Sequence, residues 1–373
     1  MGKQTRTQVV FVNLALVLLV IIWSVPTLGL FISSFRDRFD IQTSGWWTVL
    51  PHREWETVAV IDTQTLDLGD RQGVMVIPLQ EVDGVESVQG TFEELREGIE
   101  SGDVQVTWVG NRRLGRIEVQ QQVWTLGNWN FTLANYQQVI GGVDREVTTP
   151  DGTVEVVQGQ DMSQAFINSL TVTIPATIIP ILIAAFAAYG FSWMNFPGRR
   201  FLFVLIVALL VVPLQIALVP ILQDYNALQI NGTFLSVWLA HTGFGLALAT
   251  YLLYGYISTL PREMLESAFI DGASHFTVFT RLVLPLSVPA LAAFAIFQFL
   301  WVWNDYLVAL VFLGVDPNNK VLTQRLADLT GTYGQSWHLL TAGAFVTMVL
   351  PLVVFIALQR YFVRGLMAGS VKG

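Results

Sequence analysis

Apolar residues in this 373-residue chain gather into long runs joined by short polar connections, with one long polar interruption after the first run. A helix needs about 20 mainly apolar residues to cross a bilayer, because backbone N–H and C=O groups cannot be left unpaired in lipid. Six runs reach that length, at 8–34, 165–190, 201–222, 234–257, 286–313 and 338–360, and predict six transmembrane helices. Pro175 and Pro180 fall in the second run and Pro213 and Pro220 in the third, where each removes a backbone donor and favours a bend. Such bends either line a cavity or are absorbed by neighbouring helices. Lys3 and Arg6 precede the first run as in a secretory signal. Its apolar stretch exceeds a signal core and no small-x-small cleavage site follows, so it is expected to stay as an anchor.

The interruption, residues 36–161, holds 21 acidic and nine basic residues, enough chain for a small domain. Thr57 to Ile61, Val74 to Ile77, Val104 to Val109 and Arg116 to Val123 are rich in β-branched residues and read as short strands. Between them Thr91-Phe92-Glu93-Glu94 is a capping-box pattern that opens a helix with Phe92, Leu95 and Ile99 on one face. The expectation is a β-rich extracytoplasmic domain carrying one helix. Its acidity reads as a solvated surface, since no D-x-D-x-D-G loop is present to hold a cation.

Composition agrees with the membrane reading: 53% of residues are hydrophobic and 13% charged, with a mean hydropathy of +0.54, which excludes a water-soluble surface. Six spans put both termini on one side. Placing them in the cytoplasm leaves Lys3, Arg6, Arg199, Arg200, Arg262, Arg281, Arg360, Arg364 and Lys372 inside, against the acids Glu263, Glu266 and Asp271. That satisfies the positive-inside rule. Arg36 and Arg38 run against it, offset by Asp37 and Asp40.

Candidate chemistry is sparse. Cysteine is absent, which removes disulfides, thiolate nucleophiles and Cys-based metal sites. No G-x-x-x-x-G-K-[ST] loop exists to cradle nucleotide phosphates, no G-x-S-x-G elbow occurs, and His52, His241, His275 and His338 form no H-x-x-x-H pair. Energy for any work must therefore come from a partner or an ion gradient.

Residues 259–285 form the one sizeable cytoplasmic connection and read as helix-turn-helix. Pro261 suits a helix start, Glu263 and Glu266 favour its positive end, Gly272 breaks it and Ser274 can cap the next helix. Met264, Leu265, Ala268 and Phe269 offer an apolar face, either to the groove of a partner or to the membrane surface. For a solute path, Gln298, Trp301, Trp303, Asn304 and Asp305 are the candidates. A carboxylate within a span costs on the order of 3 kcal/mol and normally faces a cavity or partner, and an indole can stack on a sugar ring. The alternative for the Trp and Asp is an aromatic belt at the outer interface, and for Gln298 and Gln215 interhelical hydrogen bonding.

Glu266, Ala268 and Gly272, followed by Leu284 and Pro285, match the E-A-A…G…I-x-L-P signature of bacterial ABC importer permeases in spacing, with Ser267 and Leu282 as mild departures. Outside residues 50–125 nearly the whole chain resembles the second permease subunit of maltose-type carbohydrate importers, most of all the alpha-glucoside permeases. Ser44-Gly45-Trp46-Trp47, Phe131-Thr132-Leu133-Ala134-Asn135-Tyr136, Asn168-Ser169-Leu170, Phe196-Pro197-Gly198-Arg199, Trp301-Val302-Trp303-Asn304-Asp305 and the tail from Gln359 to Gly373 carry the likeness.

The resemblance implies an all-α polytopic protein with the six-helix type I importer permease fold and a β-rich insertion between helices 1 and 2. Residues 1–35 would form the cytoplasmic N-terminus and first helix, 36–161 the extracytoplasmic domain, and 162–373 the permease core with coupling loop 259–285 and cytoplasmic tail 361–373. Glu266, Ser267, Ala268, Gly272, Leu282, Leu284 and Pro285 would dock on an ATPase, and Gly369, Ser370, Val371, Lys372 and Gly373 would reach into the ATPase dimer. Implied partners are a different permease, an ATPase homodimer that alone holds ATP and magnesium, an extracytoplasmic sugar-binding protein and the inner-membrane bilayer. No nucleic acid is implied, nor any cofactor, metal or catalytic residue on this chain. Rivals are a permease for a polyol or glycerol derivative, an ion-coupled transporter, for which Asp305 is the one strong intramembrane candidate, and a membrane sensor.

Overall fold

The computed structural model describes residues 6–66, 68, 73–79, 85–112, 115–127, 129–148, 153–157, 161–332 and 336–368. The chain divides into two compact units, residues 43–131 and the remainder. The polar interruption 36–161 is thus split: only its central part forms the sheet-bearing unit.

Helix α1 (Arg6–Ser34) is apolar on every side and almost wholly exposed, as a lipid-facing span would be. A short helix α2 (Arg38–Thr43) follows. In the 43–131 unit, β1 (His52–Asp62), β2 (Met75–Pro78) and β3 (Ser87–Gly90) precede helix α3 (Phe92–Glu97). Strands β4 (Ile99–Ser101), β5 (Val104–Gly110) and β6 (Gly115–Thr125) come after it. One antiparallel sheet runs β1-β6-β5-β4, and β2-β3 form a hairpin. Alternation puts Val104, Val106 and Trp108 of β5 and Ile117 and Val119 of β6 on one buried face, where Met75, Ile77, Val88, Phe92 and Leu95 complete the core. The capping box is formed: Thr91 Oγ1 accepts from Glu94 N, and Thr91 N donates to Glu94 Oε2 at 2.8 Å. Gly98, at φ +97°, ends the helix, so Ile99 joins the core from a strand and not from the helical face expected for it.

In the larger unit, α4 (Ala134–Gly141) latches the end of α1. Asn135 Nδ2 donates to Ser34 O and Arg36 O, each at 2.9 Å, and Tyr136 Oη meets Ser34 Oγ at 2.7 Å. Asn135 and Tyr136 of the Phe131–Tyr136 motif therefore act as a clasp. A hairpin of β7 (Arg145–Thr148) and β8 (Val154–Val157) leads to α5 (Ser163–Trp193), which stays continuous through Pro175 and Pro180. At its start Asp161 Oδ1 accepts from Ser163 N at 2.9 Å and Ser163 Oγ at 2.5 Å, and these bonds, the hydroxyl first, hold its carboxyl below the usual value of 3.8. A carboxylate depressed in the folded chain adds stability that is complete above 3.8 and is lost as pH falls through the lower folded value. Asp161→Asn is accordingly expected to flatten the acid limb of thermal unfolding below about pH 4 and leave the neutral midpoint's pH slope unchanged.

The third apolar run is not one helix. α6 (Arg199–Leu209) and α7 (Leu214–Ala227) meet at 103°, and the helix is broken before Pro213, which has no N–H to continue it and disfavours helical geometry at the residue before it. After α8 (Phe234–Ile257), α9 (Arg262–Ile270) and α10 (His275–Val278), a π-helical turn over Phe279–Val283 precedes α11 (Leu284–Leu286). The segment 275–286 meets α12 (Val288–Trp303) at 71°. The fifth run also stops at Trp303 and resumes as α13 (Leu307–Leu313), followed by α14 (Leu322–Thr332) and α15 (Trp337–Ala368). Among the described residues four helices, α1, α5, α8 and Trp337–Tyr361 of α15, are singly long and apolar enough to cross a membrane. The two bent pairs qualify only if each is one span. Small side chains let the central helices approach: Ala184, Ala185 and Ala188 of α5 and Ala249 of α8 are buried together.

Candidate functional site

Two places gather the residues singled out from the sequence. The first is the loop from Pro261 to Pro285. Pro261 stands at the start of α9, Gly272 adopts φ +82°, and Ser274 Oγ accepts from Thr277 N at 3.2 Å to open α10. The helix-turn-helix is thus built by the residues that suggested it.

Its apolar face, however, serves its own chain. Leu265 is fully buried, and Met264, Ala268 and Phe269 pack with Tyr189, Leu253, Ile257, Phe279 and Val283. Of those four residues only Leu265 is fully covered; Met264, Ala268 and Phe269 keep part of their surface accessible. What the loop shows outward is Glu266, Ser267, Gly272, Ile270 at 85% and Phe276 at 66% exposure. Leu282 and Leu284 are part-buried against the same cluster, and Pro285 is exposed in the first turn of α11.

The sequence marks His275 only as one of four histidines outside any H-x-x-x-H pair. Its Nδ1 lies 2.9 Å from Tyr189 Oη, and its ring lies 4.8 Å from that of Phe269. Tyr189 belongs to α5, so α10 is tied to the helix centre of the unit. Tyr189→Phe is expected to keep the packing, lose the tie and cost about 0.5–1.5 kcal/mol, the worth of one neutral hydrogen bond. A lowered melting midpoint checks it.

The second place is the seam of α5, α8 and α12. Gln298 is fully buried and its Nε2 donates to Ala176 O at 3.1 Å and His241 O at 3.4 Å, joining three helices. Gly245 makes room for it, since a Cβ there would lie 2.6 Å from Gln298 Oε1. Gly245→Val is expected to cost on the order of 1–3 kcal/mol as an overpacked core position, read as a lowered melting midpoint.

Trp303 is likewise buried: its Nε1 donates to Thr347 O at 2.9 Å, and its ring stacks on Phe299 at 5.7 Å. Trp301, half-buried, meets His241 edge-on at 5.3 Å. Asn304 Nδ2 donates to Leu300 O, closing α12. Asp305 Oδ1 accepts from Val308 N at 2.7 Å, starting α13, while its carbonyl accepts from Thr323 Oγ1.

Ser169, Thr173, His241, Trp303 and Asp305 line a shared cavity of about 10 Å³, which suits a single water. Asp305 and Trp303 are therefore brought together, with His241, which the sequence marked only as an unpaired histidine inside an apolar span. Asn168 Nδ2 donates to Asn318 O and Lys320 O, and Ser169 Oγ accepts from Leu322 N, so the Asn168-Ser169 pair clamps the 318–322 loop on α5. Gly369, Ser370, Val371, Lys372 and Gly373 lie outside the described residues.

Residues 176–367 match the family described as binding-protein-dependent transport system inner membrane component. The chain is 46% identical to the alpha-glucoside transport system permease protein AglG of Rhizobium meliloti, over 97% of each chain. It is 44% identical to the osmoprotective compounds uptake permease protein GgtD of Synechocystis sp., over 97% of this chain and 91% of that one. A solved bacterial ABC transporter involved in the import of alginate is 20% identical, with a TM-score of 0.46 over 54% of this chain and 75% of that chain. The chain belongs to the binding-protein-dependent transport system inner membrane component family: it is a multi-pass inner-membrane permease subunit of an ABC importer, with ATP hydrolysis carried out by a separate subunit.

Proposed function

We propose that this permease carries an alpha-glucoside or a closely related neutral oligosaccharide. The observation that carries the reading is the 46% identity to an alpha-glucoside permease along 97% of both chains, a match that includes the sheet-bearing unit. Each bent pair is taken as one span, which gives six, with both termini cytoplasmic and the 43–131 unit outside. The permease pairs with a second, different permease, two copies of an ATPase holding nucleotide and magnesium, and an extracytoplasmic sugar-binding protein.

The loop 259–285 docks on the ATPase through Glu266, Ser267 and Gly272 together with exposed Ile270 and Phe276, while the tail 369–373 reaches the ATPase dimer. Leu282, Leu284 and Pro285 hold the loop's root, and Ala268 fixes α9 on the unit. Closure of the ATPase dimer then moves α9 and α10, and the Tyr189 to His275 contact passes that movement to α5. On the solute side Trp301, Asn304 and Asp305 lie nearest a path, and Gln298 and Trp303 brace it.

A second reading is supported by the 44% identity to the osmoprotectant permease: a small polyol or glycosylated glycerol as solute. Reconstituted importer with its binding protein should take up labelled maltose or sucrose in an ATP-dependent manner. Uptake of glucosylglycerol alone would replace the first reading with the second.

A further inference from the structure

The sheet of the 43–131 unit has a second face, and its composition is unusual for an acidic solvated surface. Facing away from the core, register places Arg53 opposite Trp124, Trp55 opposite Gln122, and Thr57 opposite Gln120, with Gln105 beside Gln120 and Thr107 beside Glu118. The centre of this face, Trp55, Thr57, Gln105, Gln120 and Gln122, is thus one indole, three amides and one hydroxyl, all uncharged, with Glu118 at its edge. A solvated strand face in an acidic unit ordinarily carries charges.

The charges that border it are paired. Arg53 Nη2 lies 2.7 Å from Asp103 Oδ2 and Arg116 Nη2 lies 2.8 Å from Glu118 Oε1. Trp124 stands at the end of the row, 73% exposed. Gly98 keeps the middle open: a Cβ there would come within 2.8 Å of Gln105 Nε2 and 3.3 Å of Thr107 Oγ1.

We propose that this face, centred on Trp55, Gln105, Gln120, Gln122 and Trp124, binds a neutral oligosaccharide, a site separate from the helix seam. It rests on the reading of the importer as a sugar carrier. Amide side chains both donate and accept, which matches hydroxyls that do the same. Flat indoles present an amphipathic surface to the C–H face of a pyranose. A central face without unpaired charge matches a ligand without charge and disfavours an ionic one, whose counter-charge it cannot supply. Its flatness makes the contact shallow, so the expected role is to hold sugar near the importer and not to select it.

The test is equilibrium dialysis of labelled maltohexaose against the intact importer in nanodiscs without its binding protein, beside ATP-driven uptake of labelled maltose by the same complex with it. Saturable binding is expected, weakened at least tenfold in Trp55→Ala/Trp124→Ala. Gln122→Arg, which adds a charge at a solvent-facing position without opening the core, should weaken it similarly. No binding by the native complex, or binding undiminished in both variants, overturns the proposal. Retention of the binding protein but not of free sugar would assign the face to a protein and overturn it too. If native uptake of maltose proceeds while dialysis shows no binding, the sheet site fails and the sugar reading stands. If uptake itself is absent for every glucoside, the sugar reading fails.

Discussion

Gly272→Pro is expected to abolish ATP-driven import while the complex still inserts and assembles. Gly272 sits at φ +82°, where proline, fixed near −65°, cannot follow, and its N–H donates to Phe269 O at 3.0 Å. Nothing lies within 4 Å of a Cβ built there, so the defect is one of backbone direction and not of crowding. The turn that returns the chain from α9 to α10 would open, carrying Ile270 and Phe276 out of register. A cost of about 3 kcal/mol or more at this turn corresponds to a drop of two orders of magnitude or so in correctly presented loop. Gly272→Asn, which tolerates left-handed geometry, should keep most activity. Glu266→Lys is the companion test. Glu266 is exposed on α9, so charge reversal there costs the fold only some tenths of a kcal/mol, and import should fall at least tenfold through docking alone. Uptake and ATP hydrolysis measured together in proteoliposomes decide it: normal uptake in both variants would remove the loop from the coupling role.

The second large effect is expected at Asp305. Removing its carboxylate strips the acceptor from Val308 N–H where α12 has ended and α13 begins, at a cost of about 0.5–2 kcal/mol as for other lost caps. The same cavity holds Trp303 and His241, so the local shift reaches the seam. Asp305→Ala should therefore lower both the melting midpoint and uptake. Asp305→Asn keeps an acceptor and should restore both. Uptake that stays low in the Asn variant while its melting recovers would mean that the charge itself meets the solute.

How much of this was readable in advance depends on how far away each residue's partner lies. The capping box at Thr91 and Glu94, strands β1, β2, β5 and β6 of the insertion, the start of α9 at Pro261 and the cap at Ser274 all rest on neighbours within a few residues, and each was legible; the short strands β3, β4, β7 and β8 were not. The break at Pro213 was legible as a bend but not as a 103° turn, because the angle depends on what the two halves pack against. The break at Asn304 and Asp305 was missed. The apolar residues on both sides of Asn304 and Asp305 hide it, and it is marked by side-chain bonds to the backbone, Asn304 Nδ2 to Leu300 O and Val308 N–H to the Asp305 carboxylate.

Among the candidate site residues the difference is sharper. Trp303 looked available to a sugar, yet its partners Thr347 and Phe166 lie on α15 and α5. Met264, Leu265, Ala268 and Phe269 looked like one docking face, yet Leu265 is fully buried in its own unit and the other three are half-buried beside it. By itself the chain determined that it is a membrane permease, where its apolar runs lie and which loop carries the importer signature, since composition, run length and fixed spacing are local properties. The tertiary structure alone decided which side of that loop faces outward, that Gln298 and Trp303 are buried and bonded between helices, and that His241, Trp303 and Asp305 share a cavity. Those outcomes depend on contacts between helices dozens to more than a hundred residues apart, which no periodicity along the chain encodes.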